Sequence, residues 1–374
     1  MAESQTGAGA HALTPVNFNH STSFIELLEG LKVSLLVSTY QAGKVLAVGA
    51  SAGKIHISFH HFEQAMGLAR TPTGVAVGTQ RQIWFLEGAP ELAARLQPPG
   101  KFDCCLLTRS CHYTGPIMGH ELAWAERELW VVNTLFSCLC VLQPGYNFVP
   151  RWRPPFISAL APEDRCHLNG LAMDQGKPRY VTALSQTDTA AGWRPGKATG
   201  GCLIDVPSRS VILERLCMPH SPRLHAGQLW LLDSGRGNLA RVDAARATLE
   251  PVVSLPGYTR GMDCHGRFAF VGLSRIRETS VFGGLPIAEC RANLLCGIAV
   301  VDLTAGQTVA SLMFQSGVEE IFEVKVLPGY RCPILSGPYP ETDQTETLWL
   351  VPPEGPVRSQ VDLRRVKNGE SSGY

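Results

Sequence analysis

Short apolar runs, each closed by Gly, Pro, Asp or Asn, fill almost the whole chain; LWVVN (129–133), YVTAL (180–184), LWLLD (229–233), FAFVGL (268–273) and GIAVVD (297–302) are typical. Runs of this length between turn-forming residues predict β-strands. Helical spacing is confined to STSFIELLEGLK (21–32), where Ser21 or Ser23 can serve as the cap.

The runs recur in a common scheme. MGLARTPTGVAVGTQRQIWFLE (66–87), HELAWAERELWVVNTLFSCLCVLQP (120–144), NGLAMDQGKPRYVTALSQTD (169–188), HSPRLHAGQLWLLDSGRGNLARVD (220–243), RGMDCHGRFAFVGLSRIRE (260–278) and EIFEVKVLPGYRCPILSG (320–337) each place a distinctive residue before a short strand, then a tight turn, then a second apolar strand. Copies starting at Met66, His120, Asn169, His220, Arg260 and Glu320 match the blade length of a β-propeller, so an all-β, six-bladed ring is expected. VSLLVSTYQAGKVLAVG (33–49) and KIHISFHHF (54–62) read as outer strands with no first strand before them. The repeat at Glu320 supplies it, so the N-terminal strands complete the C-terminal blade and close the ring. A seventh blade around TETLWLVPP (345–353) is the alternative. Residues 1–20 and 353–374 read as polar tails flanking one domain, 21–352.

The chain has 374 residues, 45% of them hydrophobic, and 33 Lys plus Arg against 32 Asp plus Glu. A hydrophobic fraction this high favours a packed core, and balanced charge gives no global field for nucleic acid or a membrane surface. The N-terminus shows no basic region followed by an apolar stretch, and no apolar run approaches a membrane span, so a soluble cytoplasmic protein is expected. The 12 cysteines lie mostly in strand-like runs without a CxxC pair, which suits reduced structural thiols.

Propeller geometry gives the repeat starts their interest. First strands line the central channel, and the connections entering them open on the same face as the loops between second and third strands. His120, Asn169, His220, Arg260 and Glu320 are thereby expected to converge, with His167 two residues before Asn169. Gln186, Asp233 and Arg275 end second strands on that face. The insertions 145–166, 184–201 and 273–297 point there too, with Trp152, Phe156, Trp193 and Phe282 as packing residues and Arg151, Arg153, Arg165, Arg194, Lys197, Arg275 and Arg277 as a basic rim. Guanidinium groups bind carboxylate or phosphate through paired hydrogen bonds, so the ligand expected is a small anionic molecule or acidic peptide.

Each feature also has a plain structural reading. A histidine before a strand can simply hydrogen-bond backbone, and Asp233 in LLDSGRG can simply form a turn. His56, His60 and His61 lie on an outer strand and read as surface residues. No Walker A or GxGxxG dinucleotide fingerprint is present. The favoured expectation is an enzyme with His120, His167 and His220 as acid/base groups. Asn169, Arg153, Arg260, Arg275, Arg277, Asp233 and Gln186 are its expected substrate contacts. His120, His167, His220 and Glu320 are also the expected ligands of a divalent transition metal, should one bind. A non-catalytic propeller binding a ligand or protein is the rival.

STYQAGK (38–44), LWVVNTLFSCL (129–139), FVPRWRPPFISALAPEDRCHLNGLAM (148–173), MPHSPR (218–223), LWLLDSG (229–235) and FVGLSRIRE (270–278) resemble a family of bacterial conserved hypothetical proteins carried as a domain of unknown function. The resemblance spans about residues 30–335 and implies no activity.

Overall fold

The computed structural model describes residues 15–276 and 283–352. They form six sheets arranged as propeller blades, numbered here in the order of the repeats. Blade one comprises Leu68–Arg70, Gly74–Gly78, Gln82–Gly88 and Cys104–Tyr113. Blade two runs through Gly119–Ala125, Glu128–Asn133, Cys138–Val141 and Val149–Trp152. Blade three contains Leu168–Asp174, Lys177–Ala183, Gly201–Asp205 and Ser210–Leu216, and blade four Pro219–His225, Gln228–Asp233, Asn238–Asp243 and Thr248–Ser254. Blade five is built from Tyr258–His265, Phe268–Ser274, Cys296–Asp302 and Gln307–Ser316.

Blade six closes the ring as the pattern predicted. Glu323–Pro328 is its innermost strand and pairs antiparallel with Val33–Thr39, which is followed outward by Lys44–Ser51 and Lys54–His61. Val37 opposite Val324 and Leu35 opposite Val326 are all fully buried. Burial of such side chains contributes roughly 1.5–3 kcal/mol each, which favours the join between chain ends.

Two outer edges carry an extra strand. Asn17–His20 pairs with Gln307–Ser316 on blade five, although the sequence placed these residues in a polar tail. Pro333–Ser336 lies parallel to Cys104–Tyr113 on blade one. The strap to it crosses Gly49, where the Arg331 carbonyl would lie 2.2 Å from an added Cβ and accepts a hydrogen bond from Ala50 N at 3.0 Å. The stretch proposed for a seventh blade forms no strand over its described residues, 345–352; a short helix, Pro340–Asp343, precedes it.

Thr22–Leu31 is helical, with Phe24 and Leu28 buried against blades five and six. Ser21 occupies the cap position, but its Oγ accepts from Ser311 N instead of capping the helix. Core packing lies between blades: Leu36, Val45, Leu68, Leu86 and Leu327 join six to one, and Leu232, Met262, Val271 and Leu273 join four to five. No helix among the described residues is long and apolar enough to cross a membrane. Nine of the twelve cysteines are buried, six of these on strands, and burial pushes the Cys105 thiol up to about 11 and Cys166 up to about 12.

Candidate functional site

The inner strands of blades two, three and four begin with the same local device. A residue in the left-handed region (Met118, φ 55°; His167, φ 51°; Met218, φ 49°) is followed by one linking residue and then by His120, Asn169 or His220. The left-handed turn brings a carbonyl back onto the imidazole. His120 Nδ1 lies 3.1 Å from Met118 O and 2.8 Å from Thr134 Oγ1. His220 Nδ1 lies 2.9 Å from Met218 O and 3.1 Å from Ser234 Oγ. Thr134 and Ser234 each stand just beyond the second strand of their blade, and Thr134 donates its own proton to Leu168 O at 2.5 Å.

A carbonyl only accepts, so in both histidines Nδ1 carries the proton. Burial holds His120 well below the usual histidine range, helped by His167 and Arg260; burial and then Arg260 do the same to His220. Each ring is therefore neutral, with an unprotonated Nε2 lone pair.

His167 occupies the position taken by methionine in the neighbouring blades. Its Nδ1 lies 2.9 and 3.0 Å from the Asp164 carboxylate oxygens, and the Trp193 indole donates to Asp164 Oδ2 at 2.8 Å. Its ring lies 4.4 Å from that of Trp193 and 4.8 Å, edge-on, from that of His120. This is a histidine whose ring and tautomer are fixed by a carboxylate, with the proton on Nδ1 and Nε2 as the acceptor.

Blades five and six supply the charge. The Arg260 guanidinium stacks 3.5 Å above the Phe322 ring and 3.8 Å from the Glu320 carboxylate, which accepts from Gln41 N at 3.2 Å. Phe322 lies 5.2 Å from His120 and 6.0 Å from Tyr40. Tyr258 meets the His220 ring edge-on at 5.9 Å, and burial drives its phenol far above the usual range. Blade one joins through the Met66 carbonyl, which accepts from Ser38 Oγ at 2.5 Å.

Thus His120, His167, Arg260 and Glu320 form one contiguous contact group, and His220 stands beside it with Tyr258. Asn169 is buried; its Oδ1 accepts from Thr182 Oγ1 at 2.6 Å while its Nδ2 is buried without a partner.

Other expected substrate contacts face elsewhere. Asp233 is occupied by Cys217 N (2.7 Å) and Arg236 (2.6 Å), so it fastens a turn. Gln186 reaches outward to Glu214 on the outermost strand of blade three. Arg275 hydrogen-bonds Phe314 O on the outermost core strand of its blade, and Arg153 follows the outermost strand of blade two. Arg277 and Phe282 lie outside the described residues.

The basic rim is partly neutralised: Arg165 pairs with Glu163 and Asp188, and Arg151 with Glu128. The insertions do pack as covers, with Leu184, Trp193, Leu285, Ile287 and Leu294 buried in one cluster with Met218 and Tyr258.

The metal expectation finds no ligand set. Among the described residues no group of three or more His, Cys, Asp or Glu side chains is arranged to hold an ion. Glu320 faces Arg260, and each histidine has committed Nδ1 to a protein partner.

Asp164, Thr134, Ser234, Tyr258 and Phe322 are site residues that the repeat pattern alone did not single out. The equal spacing from His120 to Thr134 and from His220 to Ser234 was the available signal for two of them.

A family model for a domain of unknown function, DUF4915, matches residues 22–335. The chain belongs to this family. No curated protein matches the DUF4915 sequence.

Among solved structures, a chain of a nidogen/laminin complex is 10% identical with a TM-score of 0.48, over 79% of this chain and 99% of that one. Selenomethionine-substituted virginiamycin B lyase from Staphylococcus aureus is 9% identical with a TM-score of 0.40, over 64% and 73%. A catalytically inactive variant of that lyase, crystallised with quinupristin, is 10% identical with a TM-score of 0.39, over 76% and 81%. Identities this low say nothing of shared chemistry, so any activity of this DUF4915 domain has to be argued from its own site.

Proposed function

We propose that the protein is an enzyme performing acid–base chemistry on a small anionic molecule or acidic peptide at the axial histidine site. Arg260 holds the anion, and His167, oriented by Asp164, moves the proton. The neutral rings of His120 and His220 offer Nε2 as acceptors toward the same ligand. The observation that carries this reading is the pinning of both buried imidazoles by backbone carbonyls beside an arginine. A purely structural histidine has no need of a neighbouring cation, whereas a base must be kept unprotonated near neutral pH.

Thermal-shift screening of carboxylates, phosphates, sulfates and acidic peptides, followed by mass spectrometry of each hit, tests it. The expected result is an anion that stabilises the native protein, does so less in Arg260→Met, and is chemically converted. Conversion is expected to fall by about 10²–10⁴-fold in His167→Ala while binding persists. Binding without conversion, equally strong in both variants, supports the non-catalytic scaffold instead.

A further inference from the structure

Beyond the histidines, the same inner strands carry a second set of charges. A cavity of about 360 Å³ opens along the channel, lined by residues of all six inner strands, among them Glu121, Trp124, Leu171, Met173, Leu224 and Asp263. The cavity residues Glu121–Trp124, Leu171–Met173 and Arg223–Leu224 follow His120, Asn169 and His220 along the same inner strands and so lie further from the mouth that holds the histidines.

Three carboxyls converge here with two cations. Arg223 is 2.8 Å from Glu121 and 3.4 Å from Glu323, and Lys325 is 3.4 Å and 3.7 Å from the same two. Asp263 accepts from Val326 N and Cys264 N, both at 3.0 Å. The cations are already committed. Arg223 also donates to Met262 O, Leu171 O and Pro222 O, which engages every nitrogen of its guanidinium, and Lys325 lies between two glutamates. Arg70, the remaining cation on the lining, is solvent-exposed. Asp263 keeps acceptor capacity on both oxygens, because each takes a single backbone donor.

We propose that this cavity is a second ligand site, which takes a short primary alkylammonium ion. The ammonium group is received by Asp263 and Glu121, and the alkyl chain by Leu171, Met173 and Leu224. An incoming cation offsets the one carboxylate in excess. Without such a cation a proton on Glu323 offsets that excess, because Glu323 is buried against the Glu121 carboxyl. Burial and then the Glu121 charge push Glu323 up to about 8. The charged groups around it are Glu121, Lys325 and Arg223, with Arg260 acting from the histidine side. Binding the ammonium ion therefore releases the Glu323 proton. The site does not depend on the acid–base reading of the histidines.

Isothermal titration calorimetry of the full chain with n-butylammonium chloride, in two buffers of different ionisation enthalpy, tests the proposal. One saturable site is expected, with close to one proton released. Affinity is expected to rise nearly tenfold between about pH 6 and pH 7, as required when a ligand competes with a proton for a group titrating near 8. Asp263→Asn and Glu121→Gln should each weaken binding at least tenfold. Circular dichroism of both variants checks that they are folded, and the proton count on the native protein stands even if one is not. The proposal is overturned if butylammonium does not saturate, if binding releases no proton, if both folded variants bind as tightly as the native chain, or if butyrate binds in its place.

Discussion

The Arg223 guanidinium lies 2.8 Å from the Glu121 carboxylate across the propeller axis, joining blade four to blade two. The same guanidinium also reaches Leu171 O in blade three, Met262 O in blade five and Glu323 in blade six. One side chain thus ties five inner strands together where no backbone ladder can, because blades share no strand pairing. Removing it leaves Glu121 without its nearest cation and two buried glutamates sharing Lys325 alone, and deleting one partner of a buried pair costs about 3–5 kcal/mol. Arg223→Met is expected to lower unfolding stability by that order in urea titrations. Arg223→Met with Glu121→Gln should lose less than the sum of the single changes, the signature of direct coupling.

Acid should unfold the protein earlier than its carboxylates alone predict. His60 is held down to about 4 by burial, against the opposing pull of Asp343, and burial keeps His120 and His220 well below the usual range. In the unfolded chain each takes up a proton near its ordinary value of about 6.5, while the folded chain does not. The unfolded state then binds more protons, so stability falls as pH drops below about 6.5, by up to about 1.4 kcal/mol per pH unit for each histidine until its folded value is reached. Urea midpoints measured at pH values on either side of that window should show the slope. His220→Asn should make it shallower by one histidine's share. An unchanged slope in that variant would show that His220 is protonated in the folded protein.

His167, Asp164 and Trp193 make a separable prediction. Asp164→Asn offers one acceptor oxygen where two now serve the His167 Nδ1–H and the Trp193 indole, so the imidazole loses its fixed orientation and conversion of the ligand found by screening should fall about tenfold or more while binding persists. Trp193→Phe removes the indole donor and keeps the ring contact, so it should lower conversion less. Equal conversion rates in Asp164→Asn and the native protein would show that the carboxylate does not position the base.

Much of this was legible in the sequence because a propeller repeats. The recurrence of turn, strand, turn and strand gave six blades, and the strands at 33–61 without an inner partner gave the closure with Glu323–Pro328. The convergence of His120, His167, Arg260 and Glu320 followed from their equivalent places in the repeats. Asp233, Gln186 and Arg275 take protein partners that the repeats did not indicate, because a second strand ends close to many groups and only coordinates show which one a side chain meets. Glu121, Arg223 and Lys325 were passed over although they sit within or beside the quoted motifs. Their partners lie 100 to 204 residues away in sequence, and pairing across an axis leaves no local spacing to read. His60 was read as a surface residue because its strand is outermost, but Asp343 from the C-terminal segment covers it.

That cover yields the last prediction. Asp343 is buried on its side chain, accepts from His61 N through both oxygens at 2.8 and 3.0 Å, and pairs with Lys44 at 3.2 Å. It thereby clasps the segment after Pro333–Ser336 to the outer half of blade six, beside the strands that close the ring. Asp343→Ala leaves the His61 amide without its acceptor and Lys44 without its counter-charge; unsatisfying a buried donor of this kind costs about 1–3 kcal/mol. The loss should be local, because the Val33–Thr39 ladder with Glu323–Pro328 does not involve Asp343. Hydrogen exchange should therefore speed up at His61 and its neighbours in Lys54–His61 and stay unchanged in Val33–Thr39. Exchange that accelerates equally in both strands would mean that the clasp, and not the inner ladder, holds the ring shut.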